Sequence, residues 1–196
     1  MKKITYSIIC EDHAHKTFIQ TFLSKFADKV QFDFNNIFYK RLLCNNSKDV
    51  LGKMVQAVDF SFLYKQGFYI DLLFIGIDYD DRNKSEFTQE IENLYNRLDE
   101  RGKQKAIIVF PVQAIEHWLL FIKEKVTNAA TQKNISKDIE KIERKIAKKI
   151  LYTNHKEKVL IEKDVHHFTQ QIDIEWLCSQ SVSFNSFYTK FRTFIP

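Results

Sequence analysis

Only four glycines and two prolines punctuate the 196 residues. So little turn chemistry argues against a turn-rich all-β fold and for long regular elements. Cysteine is scarce too: Cys10, Cys44 and Cys178 are widely spaced, odd in number and form no CxxC. That spacing suggests neither a disulfide framework nor a cysteine zinc site, and three partly buried thiols are expected. No run of about 18 apolar residues occurs, so no membrane span is expected. The opening "MKKITYSIICEDHAH" puts two lysines before a short apolar run, but acid arrives at Glu11 and Asp12 with no small-residue cleavage site after it. It reads as a first strand of a cytoplasmic protein rather than a signal peptide. A glycine-rich phosphate loop is also missing, which weighs against a small-molecule phosphotransferase.

Aromatic side chains, by contrast, are plentiful. Eighteen Phe and eight Tyr, within a hydrophobic content of 44%, are enough for one domain with a real core. Apolar surface left over by such a chain suits another protein, so an assembly heavier than the monomer is expected. The net charge of +5 tilts the expected partners only slightly toward anions such as nucleic acid.

Strand and helix signals alternate along the first two thirds. "KITYSIIC" (Lys3 to Cys10) reads as a strand, and Phe18, Ile19, Phe22, Leu23 and Phe26 then fall at helical spacing. Val30 to Leu43 looks extended. Ser47 is placed as the cap of a helix that Gly67 ends. "YIDLLFIGIDYDD" (Tyr69 to Asp81) is a buried strand ending in acid. Ser85 is placed as the next cap, before a stripe of Phe87, Ile91, Leu94 and Leu98, with Gly102 as the stop. "QKAIIVFPV" is another buried strand, and "QAIEHWLLFIKEKV" a helix just after Pro111. Short apolar strands alternating with helices predict a mostly parallel, four-stranded α/β sheet covered on both faces. Beyond it, Ile135, Ile139, Ile142, Ile146 and Ile150 form one stripe among lysines, and two further helical segments follow. The expected division is an α/β core over 1–127 and an all-helical C-terminal extension over 128–196.

The acids carry the chemistry. Asp78 and Asp80 are two apart and project to one side of an extended chain, with Asp81 opposite. Sites in open α/β sheets form beyond the carboxyl ends of strands. Glu11 ends the first strand as Asp78-x-Asp80 ends a later one, so adjacent strands would bring Glu11, Asp78 and Asp80 together. Three oxygen ligands describe a hard-cation site, Mg²⁺ or Mn²⁺ rather than zinc. Carboxylates so crowded repel one another without a cation. Removing Asp78 or Asp80 is therefore expected to abolish activity while keeping or raising the melting temperature. The bland alternative is a solvated turn, which Asp favours.

A glutamate ending the first strand and an Asp-x-Asp ending a later one resemble the Toprim domain of topoisomerases, primases and OLD-family nucleases. "IIVFPVQAIEHWLLFI" is similar to a segment of small RloB-like Toprim proteins, in which a strand and turn lead to a helix bearing Glu-x-Trp, here Glu116-His117-Trp118. The tail "IEWLCSQSVSFNSFYTKF" is similar to the closing helix of that group. The resemblance implies a Toprim-like fold and a metal-dependent nuclease that cleaves DNA or RNA, with Glu11, Asp78, Asp80 and Glu116 catalytic. It further implies the effector of a bacterial antiviral defence system, working beside an ABC-type or AAA ATPase partner. The alternative is a degenerate interaction subunit that binds such an ATPase. Toprim domains usually carry glycine just after the glutamate, whereas Asp12 and His13 stand here, so Asp12 could instead share the metal.

His13 and His15 flank Ala14 and are candidates to touch substrate phosphate, as are Lys16 and Arg82 after the two acidic ends. The plain reading of the two histidines is half-exposed residues opening the first helix, and that of Glu116 an exposed acid in a first helical turn. The lysines of the isoleucine-striped segment read as a solvated face or as a track for a phosphate backbone.

Overall fold

The structure, a computed structural model, describes residues 1–79, 84–128, 139–152 and 157–195. In chain order the elements begin β1 (Lys2–Cys10), α1 (His13–Ser24), β2 (Val30–Phe34), α2 (Asn36–Arg41) and α3 (Ser47–Phe60). They continue with β3 (Leu72–Gly76), α4 (Lys84–Tyr95), α5 (Glu100–Lys105), β4 (Ala106–Val109) and α6 (Ile115–Asn128). A helical region closes the chain with α7 (Arg144–Tyr152), α8 (Lys158–Gln170), α9 (Ile174–Gln180) and α10 (Val182–Arg192). Single 3₁₀ turns lie at Tyr64–Gln66 and Ile139–Lys141. No helix among the described residues is long and apolar enough to cross a membrane.

The four strands form one sheet in the order β2-β1-β3-β4, every pair parallel. β3 and β4 are buried throughout because helices cover both faces, which is why their sequences run apolar rather than alternating. Cys10 pairs with Gly76, and Gly76 with Val109. The carboxyl ends of β1, β3 and β4 therefore finish at one level, with Glu11, Asp78 and the turn into α6 just beyond.

On one face, α1 and α6 pack with the C-terminal helices around Phe18, Phe22, Trp118, Phe184, Phe187 and Phe191. Rings buried to this extent each contribute roughly 1.5–3 kcal/mol. Trp118 also donates its indole N–H to the Ser183 hydroxyl at 2.9 Å. The other face packs α2 to α5 against Ile9, Leu73, Ile75 and Ile108. The helical C-terminal region thus covers a single face, and it reaches the carboxyl end of the sheet through α7.

Several boundaries differ from expectation. Val30 to Leu43 is extended only to Phe34; Asn35 then caps α2 by accepting from the Phe38 N–H. Asn46, not Ser47, caps α3. The segment ending at Gly67 is α3 followed by a separate 3₁₀ turn, where Gly67 takes φ 71°. Gly102 lies inside α5, which Asp99 caps, and α4 ends at Tyr95. The Ser85 cap falls on a side chain outside the described residues. The isoleucine stripe holds at Ile139, which is buried, and at Ile142, which packs on the core, and fails beyond them. Ile146 and Ile150 are exposed, while Ala147 and Leu151 face the core. An i, i+4 pair fits either face of a helix, and α7 docks on α6 by the face that carries Ala147 and Leu151. Lys133, Lys137 and Ile135 lie outside the described residues.

Candidate functional site

Each group of the site is placed by a local rule. Asp12 caps α1, accepting from the His15 N–H at 3.1 Å, and the same oxygen meets His15 Nδ1 at 3.0 Å. The first turn of α1 thereby turns the imidazole inward over the end of β3. The ring fits because Gly76 is there. A Cβ at that position would lie 2.9 Å from the His15 ring and 2.9 Å from the Cys10 Cβ.

Asp78 follows β3 in a stretch still tied to the sheet by Ile77 N–H to Val109 O and Tyr79 N–H to Pro111 O. Its Oδ1 accepts the Ile115 N–H at 3.0 Å, at the start of α6, and stands 3.2 Å from His15 Nε2. That N–H is one that the first turn of a helix leaves without an internal partner. Gln113 in the β4–α6 turn sets its direction, taking φ 61° and donating its side-chain amide to the Glu140 carbonyl. Glu11 leaves β1 with its N–H on the Gly76 carbonyl at 3.2 Å.

The helical region completes the cluster. Arg144, opening α7, lies 2.6 Å from Asp78 Oδ2 and 3.5 Å from Glu11 Oε1. One turn on, Lys148 lies 3.3 Å from Glu116 Oε1, and the Tyr152 hydroxyl donates to the same oxygen at 3.2 Å. His117 fastens this segment by donating from Nε2 to the Ile142 carbonyl at 2.8 Å. A cleft of about 250 Å³ opens beside the cluster, lined by Glu11, Asp12, Asn45, Asn46, Ser47 and Arg144.

Charge and burial set the protonation states. Burial alone would make His15 less basic; Asp78 and Asp12 more than reverse this, holding its pKa well above the ordinary value. The ring is a buried imidazolium between two carboxylates. Burial raises the pKa of Asp12 and of Asp78, but His15 outweighs it in both, and each ends below the usual carboxylate range. Glu11 goes the other way. Burial first, then the Asp78 carboxylate and a proton shared with it, push Glu11 up to about 8. Burial likewise raises Glu116 and outweighs the nearby Lys148. Glu116 Oε2 is buried with no hydrogen-bond partner.

Glu11 and Asp78 thus meet just beyond β1 and β3, and Glu116 comes from α6 within electrostatic reach of Asp78, buried rather than an exposed acid of a first turn. His15 is likewise fully buried, contrary to the half-exposed reading. His13 does stay exposed, 3.6 Å from Glu162. Lys16 lies over the Tyr39 ring at 4.3 Å, not on the acids. Asp80 and Arg82 fall outside the described residues. For Asp78 the expected stability sign reverses: it carries the counter-charge of His15 and Arg144, so its loss strands a buried cation.

Glu11, Asp12 and His15 can hold a metal ion, since one ligand atom from each lies within 4.8 Å of the others. His15 joins such a set only by giving up its proton, and so does Glu11 near neutral pH, which leaves Asp12 as the ready oxygen donor. The residue the sequence reading missed is Arg144, hidden among lysines that read as a solvated face. Compared with protein-family models, with curated proteins and with solved structures, the chain matches none of them.

Proposed function

We propose that this chain is a metal-dependent nuclease of Toprim type, with Mg²⁺ or Mn²⁺ held by Glu11 and Asp78 together with Asp80. One observation carries the reading: Glu11 and Asp78 sit side by side beyond the ends of two adjacent parallel strands, with Glu116, on the helix after β4, within electrostatic reach of Asp78. A hard cation suits oxygen donors of this kind. Once bound, it would offset charge on a phosphodiester and lower the pKa of an attacking water.

The remaining work falls to the chain. Asp78 is held by the Ile115 N–H and His15, so its carboxylate cannot swing away. In the cation-free chain Glu11 holds a proton near neutral pH; as a ligand it would give that proton up. Glu116, which burial inclines toward its protonated form, can give a proton to the oxygen that leaves as water adds to phosphorus and the P–O bond breaks, and take up the proton that the water sheds. Glu116 keeps one oxygen uncommitted for a reacting water. On this reading the protein acts in antiviral defence with an ABC-type or AAA ATPase.

Cleavage of DNA and RNA oligonucleotides should be assayed with Mg²⁺ or Mn²⁺ and with the ATPase partner. Wild type is expected to cleave, and Asp78→Ala to lose at least about a hundredfold in rate, as removal of a catalytic charge does. Equal cleavage by the variant would end the reading.

A second reading is favoured by the Arg144 and His15 contacts, which already neutralise the acids. It makes the chain a degenerate Toprim-like subunit that binds the ATPase. Wild type that binds the ATPase and cleaves nothing under these conditions would select it.

A further inference from the structure

The cluster has two layers. Its floor is carboxylate: the side chains of Glu11, Asp78 and Glu116 are 8%, 0% and 2% exposed. Its roof is cationic and wetter, since Arg144 and Lys148 are 32% and 40% exposed. The two basic residues are four apart, so α7 presents them on one side, one to each part of the floor. Arg144 reaches both Asp78 and Glu11, and it also lines the open cleft. Glu116 Oε2 remains a buried acceptor without a hydrogen-bond donor, a cost met when a ligand supplies one.

Resting on the proposed hard-cation site, we propose that α7 is a counter-ion arm that exchanges partners: Arg144 and Lys148 hold the carboxylate floor in the cation-free chain and turn to the phosphate of a phosphodiester when a divalent cation takes that floor. The physical reason is repulsion. Arg144 bridges the same two carboxylates that the cation needs, and two positive charges cannot share them at ion-pair distance. Displaced from Glu11 and Asp78, the guanidinium faces the cleft beside it. There its planar fork matches a phosphate. Lys148 follows by the same logic as a point charge. Cation and arm therefore compete for the floor, while cation and phosphate bind cooperatively through the released arm.

Mn²⁺ binding to the full chain, followed by electron paramagnetic resonance, tests the first half. Arg144→Gln is expected to bind Mn²⁺ about tenfold tighter than wild type, within the usual range for coupling between linked sites. Fluorescein-labelled single-stranded DNA and RNA 20-mers test the second, with Ca²⁺-free buffer containing either EDTA or Mn²⁺. In EDTA, Arg144→Gln should leave oligonucleotide affinity unchanged. With Mn²⁺ it should lose the gain that wild type shows, and the salt slope should fall by about 1 per lost phosphate contact. Comparison of the two oligonucleotides says which backbone is taken. Lys148→Gln, at a more exposed position, repeats both readouts should Arg144→Gln not fold. Wild type that binds Mn²⁺ no more weakly than these variants would overturn the exchange and leave the cation site standing. Equal losses of oligonucleotide affinity in EDTA and in Mn²⁺ would also overturn it. Wild type that binds no Mn²⁺ would instead remove the cation site on which the exchange rests.

Discussion

At the amino end of the sheet, Lys105 donates to the Ser61 carbonyl at 2.8 Å and lies over the rings of Phe62 and Tyr69 at 3.9 and 4.5 Å. Beside it, Asp71 accepts from the Thr5 N–H at 2.7 Å and from the Tyr69 hydroxyl at 2.9 Å. At the carboxyl end, Glu11, Asp12, Asp78 and Glu116 face His15, Arg144 and Lys148. The first end meets its few charges mostly with neutral partners, carbonyls, amides, a hydroxyl and ring faces, and sets a single acid, Asp71, near a single base, Lys105. The second gathers ions of both signs, keeps a proton on Glu11 and leaves Glu116 Oε2 unpartnered. A fold needs only the first arrangement. Packing an ionic cluster under a helical cover is costly unless something is gained beyond stability.

The contrast is broken most severely at His15. Replacing it by Ala leaves two carboxylates facing each other across a cavity, and the chain should lose about 3–5 kcal/mol, as when one partner of a buried pair is removed. Urea denaturation measures this. At the amino end, Asp71→Ala should cost less, about 1.5–3 kcal/mol, because the groups it leaves behind are neutral donors. Gly76→Ala crowds the His15 ring and the Cys10 Cβ together, and should cost about 1–3 kcal/mol by overpacking. The last effect is a change with pH. Burial lowers the Lys105 pKa from 10.5 to about 8. Below about 8 the folded chain carries the full cost of that buried charge. Between about 8 and 10.5 only the unfolded chain stays protonated, so folding stability rises with pH. Melts of wild type and Lys105→Met should accordingly differ by an amount that shifts in favour of wild type across that window and is flat below it.

Much of the fold was legible because it is written locally. The runs read as Lys3 to Cys10, Tyr69 to Asp81 and Gln104 to Val112 contain the strands Lys2–Cys10, Leu72–Gly76 and Ala106–Val109, and Phe18, Ile19 and Phe22 lie on one face of a helix as their spacing predicts. The meeting of Glu11 with Asp78 was legible as well, given that strands in such a sheet end at one level. The rest depends on tertiary partners. Nothing in "EDHAHK" marks His15 as buried; the signal lies in Gly76, whose missing side chain makes the space, and the two are far apart in sequence. Ile146 and Ile150 read as the docked stripe by size, yet Ala147 and Leu151 are the residues that fit against α6. Arg144 stood among lysines that read as a solvated face, and only its distance to Asp78 separates it from a solvated charge.

The central claim is that the carboxyl end of the sheet takes a divalent cation and the amino end does not. Mn²⁺ titration of wild type, Glu11→Gln/Asp78→Asn and Asp71→Asn, followed by electron paramagnetic resonance, tests it most directly. One bound Mn²⁺ in wild type and in Asp71→Asn, lost in Glu11→Gln/Asp78→Asn, is the predicted result. A wild type that leaves all Mn²⁺ free, or a double variant that binds as wild type does, would contradict it.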